Sequence, residues 1–467
     1  MKAEYIIDSP KNKRLVVFFT GWSTGLSIAS LFRLPEGYDF IICWDYRNIN
    51  WKKPEKNYVE VLVFAWSFGV AIVEELFHEL AQELNITGLY AINGSRFPVN
   101  DELGIPEFIF KETLENLNEK NLHKFKIRIA GGLRNLKNIE SFLLTDLSIS
   151  ELKNELELLG KLREQKINKA IWDCVFISTD DKIFPALNLE KSWNDTPIIW
   201  LKDDHHLPDF ASIISRTVKD KEVIKKNFKR SITSYNDTAT VQKSLSHKLI
   251  DVLKNLNSEY ASILELGSGS GYLSQLLIKT FLPKNILLMD LSPECPVEEA
   301  KYISGDIETL IPVIPVDSFD LVVSGSTMQW FHSPSRILSK IFSILKNDGI
   351  AGITTFLPET YHELQEITGN GLLYYSESDW TLMARRNGFE VLESSVENYE
   401  MNFNSVNEIL KHLRATGVNS LGAPLKTIGE MRSLISSYPN ENSVFNLTYQ
   451  ALTLILKKTD LPINLRY

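Results

Sequence analysis

The first half of the chain alternates short, unbroken apolar runs with longer stretches of helical spacing. Arg14–Phe19 reads RLVVFF, and similar runs occupy 40–43, 59–64, 89–92, 174–177 and Ile198–Leu201. Runs this short, rich in β-branched and aromatic residues, predict strands buried on both faces of a parallel sheet. Between them, Gly69–Glu83 places Val70, Val73, Leu76, Phe77 and Leu80 on one side, which predicts an amphipathic helix. This alternation points to an open α/β sheet. Residues 100–168 break the rhythm: they are charged, with Leu or Ile at helical spacing, as in 151–162. A helical lid inserted between two strands is the expectation, with ordinary sheet-covering helices as the alternative. The lysine-rich stretch 219–230 has no proline or glycine and reads as part helix, part linker. Beyond it the α/β alternation resumes.

Length turns this pattern into two domains. At 467 residues the chain is too long for one core, and a boundary near residue 220 divides it into 1–218 and 222–467. The formal net charge is −9 with no strongly basic block, which argues against nucleic acid as a partner. Cys43, Cys174 and Cys295 lie in or near apolar runs and read as buried free thiols of a reducing compartment. The polar start, 1–13, is no secretory signal, and no apolar run approaches the roughly 18 residues that cross a bilayer. A cytoplasmic location away from membranes is expected, and no metal site is.

Candidate chemistry begins at 64–69, Phe-Ala-Trp-Ser-Phe-Gly. A nucleophile elbow needs a strand, a tight turn with small flanking residues, and a helix. The run 59–64 supplies the strand, Ser67 the nucleophile and Gly69 the small residue after it; Ala65 stands where a glycine is usual. A serine needs a base and the base an orienting acid, in the order Ser, acid, His for this fold. Asp181 follows the 174–177 strand and His206 follows Ile198–Leu201, both at strand exits; Asp180 and His205 are their adjacent rivals. An oxyanion hole needs two backbone N–H groups, which Phe68 and Trp22 can supply.

The second half carries Glu265-Leu-Gly-Ser-Gly-Ser-Gly271 after the strand Ser262–Leu266, and Asp290 at the end of the 286–289 strand. Gly267, Gly269 and Gly271 let backbone approach a ligand, and an acid about 20 residues on takes ribose hydroxyls in the dinucleotide fingerprint. Gly305-Asp306-Ile307 follows one strand later, where class I methyltransferases place an acid on the adenine amino group. With Ser324 ending the 320–323 strand, this favours S-adenosyl-L-methionine (SAM) over NAD as cofactor.

Two resemblances become specific at this point. Phe-Phe-Thr-Gly-Trp, Ala-Trp-Ser-Phe-Gly, Ala-Ile-Asn-Gly (91–94) and the His-Leu-Pro turn together resemble the small α/β-hydrolase family of pimeloyl-acyl carrier protein (ACP) methyl ester esterases of biotin synthesis, over about 1–215. That implies cleavage of a pimeloyl methyl ester on ACP by Ser67, Asp181 and His206. The stretch 324–330, Tyr235, Ala239 and Gln242 upstream, and 413–419 downstream look like the malonyl-ACP O-methyltransferase of the same pathway, over about 222–467. Gly325 stands where that family more often has Asn. The resemblance implies substrate or cofactor contacts at Tyr235, Gln242, Gln329, Trp330 and Arg414. A carboxylate is already ionised near neutrality and needs placement and partial dehydration rather than a His or Lys base. His332 reads as loop. An Arg is expected to grip the carboxylate, with Arg414 the candidate and Arg385 and Arg386 its rivals.

The expected whole is an α/β-hydrolase with a helical lid followed by a Rossmann-like methyltransferase, acting on ACP that carries malonyl or pimeloyl methyl ester. The esterase pocket would measure chain length, because each buried methylene contributes about 0.8 kcal/mol. Lys124, Lys126, Arg128 and Arg134 of the lid would meet acidic ACP or form a solvated basic face. The alternatives are a generic small-acid methyltransferase fused to a broad carboxylesterase, or to an inactive hydrolase that serves as a docking module.

Overall fold

A computed structural model describes residues 1–162, 172–369, 371–418 and 428–459. The chain divides into two compact α/β units, Met1–Ile214 and Ser215–Tyr467, a few residues before the expected boundary.

In the first unit, β1 (Lys2–Ile7), β2 (Arg14–Phe19), β3 (Tyr38–Trp44), β4 (Glu60–Trp66), β5 (Ile86–Ile92), β6 (Cys174–Ser178) and β7 (Ile198–Leu201) form one sheet in the order β1-β3-β2-β4-β5-β6-β7. Every pairing is parallel except that of β1 with β3. Every residue of β3, β4, β5 and β6 is buried, as covered parallel strands require. Two strands depart from the sequence reading. β1 lies within the polar start 1–13, where no strand was expected; none of its residues is buried and most are exposed, as suits an antiparallel edge. β7 is the opposite edge, with Trp200 41% exposed, so it is not buried on both faces.

The helix α1 (Gly69–Glu83) leaves β4 directly, and its inward side holds Val70, Val73, Leu76 and Leu80. Between β5 and β6 run α2 (Glu107–Glu115), α3 (Glu119–Ile129), α4 (Leu133–Ile139) and α5 (Ile149–Leu159). The Asn118 side chain caps α3, and Ser148 with Glu151 forms a capping box on α5. The tail of the expected insertion, 163–168, lies outside the described residues. After β6 come α6 (Ala186–Ser192) and, beyond β7, α7 (Phe210–Thr217).

The second unit opens with α8 (Lys221–Thr238) and α9 (Thr240–Leu256). The lysine-rich stretch is therefore helix from residue 221 on, not part linker, and the Asp220 carboxylate caps it by accepting from Glu222 and Val223 N–H. Then β8 (Ser262–Leu266), α10 (Tyr272–Phe281), β9 (Asn285–Asp290), β10 (Lys301–Ser304), α11 (Ile307–Leu310), β11 (Phe319–Gly325) and β12 (Leu345–Phe356) follow, with β13 (Phe389–Phe403) and β14 (Phe445–Lys458) completing a sheet ordered β10-β9-β8-β11-β12-β14-β13. β14 inserts antiparallel between β12 and β13, and the remaining pairings are parallel, a methyltransferase-like Rossmann arrangement. Cys43 and Cys174 are buried within strands, but Cys295 is exposed, because it falls in the loop after β9 rather than in a strand. No helix among the described residues is long and apolar enough to cross a membrane.

Two glycines set how tightly the β4–α1 turn packs. A Cβ on Gly69 would lie 2.4 Å from the Phe19 carbonyl oxygen, and one on Gly94 would lie 2.3 Å from that of Ser67. Backbone cannot retreat as a side chain can, so overpacking of about 1–3 kcal/mol is expected. Gly94→Ala should therefore lower the thermal midpoint of the full chain by several degrees in a circular-dichroism melt; an unchanged midpoint would refute this account of the turn.

Candidate active sites

In the first unit, Ser67 sits at the β4–α1 turn with φ 60°, a left-handed conformation that costs a non-glycine residue energy and lifts its side chain off the strand end. Its Oγ is 3.0 Å from His206 Nε2, and His206 Nδ1 is 2.8 Å from Asp181 Oδ2. All three are buried: Ser67 is 3% exposed, Asp181 8% and His206 1%. A carboxylate only accepts, so Asp181 makes Nδ1 the donor and leaves Nε2 to accept the Ser67 hydroxyl. The other Asp181 oxygen accepts from Ile183 N–H at 2.7 Å and Phe184 N–H at 3.0 Å, which fixes the carboxylate. Such a chain can draw the hydroxyl proton onto imidazole and stabilise the imidazolium that results.

The rivals turn elsewhere. Asp180 is half-exposed and its N–H donates to the Asp204 carbonyl. His205 packs against Gly131, and its Nδ1 is buried without a hydrogen-bond partner among the described residues. The loop after β2 passes beside the serine: a Cβ on Gly21 would lie 3.0 Å from the Ser67 Cβ. That loop carries the Trp22 backbone, while the indole is buried and donates to the Leu152 carbonyl at 3.0 Å. Phe68 follows Ser67 at the head of α1.

Two residues with no role assigned from the sequence hold the histidine loop. Asn93, fully buried at φ 44°, donates to the His205 and His206 carbonyls at 3.0 Å each and to Ser178 Oγ at 2.8 Å. The Trp66 indole N–H also reaches the His206 carbonyl, at 2.7 Å. The signal was the Asn-Gly pair at the end of an apolar strand, which marks a turn but not its long-range partners. A small, mainly apolar cavity next to the Trp22 and Phe68 side chains is lined by Phe110, Phe125, Leu156 and Ile183, among others, with Arg128 and Lys182 also in its wall.

In the second unit the glycine loop opens onto a cavity of about 240 Å³. Of the residues expected there, Tyr235, Gln242, Glu265, Gly267, Gly269, Asp290, Asp306, Ile307 and Trp330 line it. Gly267, Gly269 and Gly271 all have positive φ, and a Cβ on Gly269 would face open space, so ligand atoms can approach the backbone there. The Ser268 hydroxyl is buried at this loop with no hydrogen-bond partner among the described residues. Asp290 accepts from Gly269 N–H at 2.9 Å and Ser292 N–H at 2.8 Å. Burial pushes the Glu265 carboxyl up to about 8, against the hydrogen bond it accepts from Ser274 at 2.6 Å. Acids at Glu265, Asp290 and Asp306, an open glycine cradle and an orphan hydroxyl fit a ligand that carries ammonium, ribose and carboxylate groups. Among the described residues, no group of three or more His, Cys, Asp or Glu is arranged to hold a metal ion.

Three expectations are corrected here. Ser324 does not face the cavity; its hydroxyl is fully buried and donates to the Leu266 carbonyl at 3.1 Å, because β11 runs beside β8 at that point. Gln329 does not line this cavity but borders a small recess beside it, where it donates to the Ser326 carbonyl at 2.7 Å and accepts from Thr355 at 3.1 Å. None of Arg414, Arg385 and Arg386 lines the cavity. Arg414 and Arg385 are exposed on helix faces, and Arg386 donates to Ser335 Oγ at 2.8 Å. The cations at the cavity are lysines instead: Lys221, Lys225, Lys229 and Lys243.

His332 is in a loop as expected, but it is 2% exposed and belongs to a buried network. Lys221 donates to Glu308 at 2.7 Å, His332 Nδ1 lies 3.0 Å from the same carboxylate, and His332 Nε2 accepts the Lys219 N–H at 2.9 Å. Burial opposes charge on Glu308, but Lys221 and His332 hold its carboxyl well below the usual range. With Nε2 accepting from Lys219, His332 turns Nδ1 toward Glu308 as the donor. Asn419, the last residue of the 413–419 motif, lies outside the described residues.

Comparison with known proteins gives both halves relatives. Residues 1–213 match the family model described as pimeloyl-ACP methyl esterase BioG, and residues 239–394 match a methyltransferase domain. A malonyl-[acyl-carrier protein] O-methyltransferase of Bacteroides fragilis (strain 638R) is 30% identical over 471 residues, covering 96% of this chain and 94% of its own. One from Acinetobacter baylyi is 30% identical over 255 residues, 51% of this chain and 98% of its own. The crystal structure of BioG from Haemophilus influenzae shares 29% identity, covering 45% of this chain and 95% of that one, with a TM-score of 0.41. The cofactor of the second unit is SAM. With one relative aligned along nearly its whole length, the chain belongs to the malonyl-[acyl-carrier protein] O-methyltransferase family, in the form that carries a BioG-type half ahead of the methyltransferase.

Proposed function

We propose that the chain is a bifunctional enzyme of biotin-precursor synthesis. Its second unit methylates the free carboxylate of malonyl-ACP, and its first unit, an α/β-hydrolase with the α2–α5 segment as lid, hydrolyses the methyl ester of pimeloyl-ACP. The observation that carries the esterase half is the continuous Ser67–His206–Asp181 chain of hydrogen bonds at 3.0 and 2.8 Å. A bystander serine would have no reason to hold a left-handed φ and a buried imidazole together.

On the esterase side, Ser67 Oγ attacks the ester carbonyl carbon as its proton passes to His206 Nε2. The carbonyl oxygen takes the negative charge, and the Phe68 and Trp22 N–H groups are the proposed donors to it. His206 then protonates the departing methoxide as methanol. Water, deprotonated by the same nitrogen, releases the free acid and restores Ser67. The apolar cavity walled by Trp22, Phe68, Phe110 and Phe125 supports an aliphatic chain as the occupant.

On the methyltransferase side, SAM supplies a methyl group whose bond to sulfur breaks as the carboxylate oxygen takes the carbon, the electron pair staying on sulfur. Asp290 would hold the ribose hydroxyls, Asp306 the adenine amino group, and Glu265 with the Gly267–Ser270 backbone the amino-acid end, while Gly271, packed against Pro296 and Val297, does not line the cavity. Orientation and exclusion of water are what the residues contribute to the nucleophile.

Complementation separates the two halves. In bacteria lacking one or the other biotin function, Ser67→Ala should lose only the esterase rescue, and Asp290→Ala only the methyltransferase rescue. In assays with purified protein, Ser67→Ala and Asp181→Asn should each lower ester hydrolysis by about 10⁴-fold or more. Full esterase rescue by Ser67→Ala would sink the esterase assignment.

Glu265 makes the proposed SAM contact pH-dependent. Its carboxyl, pushed up to about 8 by burial, is largely protonated near neutrality, yet must ionise to meet an ammonium group. Binding then releases a proton, so affinity should tighten as pH rises from about 6 to 7.5, by up to tenfold per unit. Titration calorimetry should find that slope in the full chain and a flat profile in Glu265→Gln. A flat profile in the unmodified chain would contradict the contact.

A further inference from the structure

The missing arginine leaves open what receives the substrate carboxylate. Beside the SAM cavity lies a small recess of about 20 Å³. The two share Phe228, Tyr235, Gln242, Ser326 and Trp330 in their walls, so the recess adjoins the place where the methyl group must be delivered. Among the described residues that line it, no side chain is charged. Its polar side chains are three phenols, Tyr235, Tyr361 and Tyr374, with Gln242, Ser326, Gln329 and Thr416, set among Phe356 and Leu372.

The phenols form one cluster. Tyr361, Tyr374, Tyr235 and Tyr449 lie close enough to interact electrostatically. Tyr449 is the anchor: its hydroxyl donates to His412 Nε2 at 2.6 Å, and its oxygen accepts from Tyr361 and Gln242. Tyr361 is thereby spent. Among the described residues, the Tyr235 and Tyr374 hydroxyls have no hydrogen-bond partner, although Tyr374 is only 5% exposed. Both residues border the same recess, where a hydroxyl without a protein partner is available to a ligand.

Resting on the proposed methyltransferase reading, we infer that Tyr235 and Tyr374 form a neutral receptor for the substrate's terminal carboxylate, doing with two hydroxyl donors what an arginine was expected to do. The physical logic favours neutral donors. Methyl transfer to a carboxylate removes the negative charge, so a buried cation would hold the reactant most strongly and be left unpaired beside the ester product. Phenols orient the oxygen, tolerate its neutral ester and keep water out. Burial raises both phenols, Tyr235 to about 12, so they remain protonated donors across the working pH range. Size adds a restriction: a recess that holds little more than one water-sized group takes a carboxyl head and not a long chain.

The test is methylation of malonyl-ACP by the full chain and by Tyr374→Phe and Tyr235→Phe, with SAM affinity and thermal midpoint measured for each. Removing one oxygen from Tyr374 should raise the KM for malonyl-ACP roughly tenfold, the effect of one lost charge-assisted hydrogen bond. In Tyr374→Phe, which lies outside the SAM cavity, SAM affinity and the melting midpoint should stay as they were. Inhibition by malonyl-ACP methyl ester, the neutral product, should change far less, so the ratio of the two affinities should fall. An unchanged KM in both variants would overturn the receptor, as would a loss of activity matched by an equal loss of SAM affinity. An unmodified chain that binds SAM and methylates no malonyl-ACP would overturn the underlying reading instead.

Discussion

Hydrogen-bond register is the constraint on which both sites depend. In the first unit, Trp66 pairs with Ile92, Ile92 with Phe176, and Ser178 with Leu201. The strands therefore end in nearly one row, and Ser67, Asn93, Asp181 and His206 all leave from the same edge. In the second unit, Leu266 pairs with Met289 and Ser304 with Asp290, which brings the glycine loop, Asp290 and the Gly305–Ile307 turn to one rim. A slip of one residue would send every side chain at these exits to the opposite face, so the register is part of the chemistry.

A chain leaving such an edge must turn at once, or it would cover the strand ends beside it. Positive φ at the exits is the mark of that demand: Ser67 at 60°, Asn93 at 44°, Gly267 at 82°, Gly305 at 148° and Ser326 at 51°. Glycine meets it without strain. Ser67, Asn93 and Ser326 meet it at a cost that surrounding contacts hold in place. Around Ser67 those contacts are close backbone approaches at Gly69 and Gly94, and Asn93 combines the same strained turn with a clamp on the His206 carbonyl.

The two sites differ in how they treat charge. At the first, a buried carboxylate is fully used, by imidazole on one oxygen and two backbone N–H groups on the other. At the second, acids gather where a cationic ligand would lie, Lys221 is neutralised by Glu308, and the adjoining recess is uncharged. The contrast follows from the proposed reactions. Ester hydrolysis creates an imidazolium that needs an anion; methyl transfer to a carboxylate begins with two charges and ends with none.

Local pattern by itself determined most of the strands, the helix after Ser67, the glycine loop and the acids that follow it. Each is written in spacing and residue type over a few neighbouring positions. It did not reveal β1, because an antiparallel edge strand needs no apolar run. It also could not choose within Asp180–Asp181 or His205–His206. Adjacent loop residues share composition and differ only in direction, and that direction was decided by tertiary contacts from Asn93, Trp66 and Gly131. The arginine expectation failed for the same reason. A charge suits a carboxylate wherever it stands in the sequence, but only folding showed that Arg385, Arg386 and Arg414 lie away from the cavity and that tyrosines from three separate segments meet beside it. Spacing fixes what neighbours along the chain can do, while burial and long-range hydrogen bonds decide which groups meet.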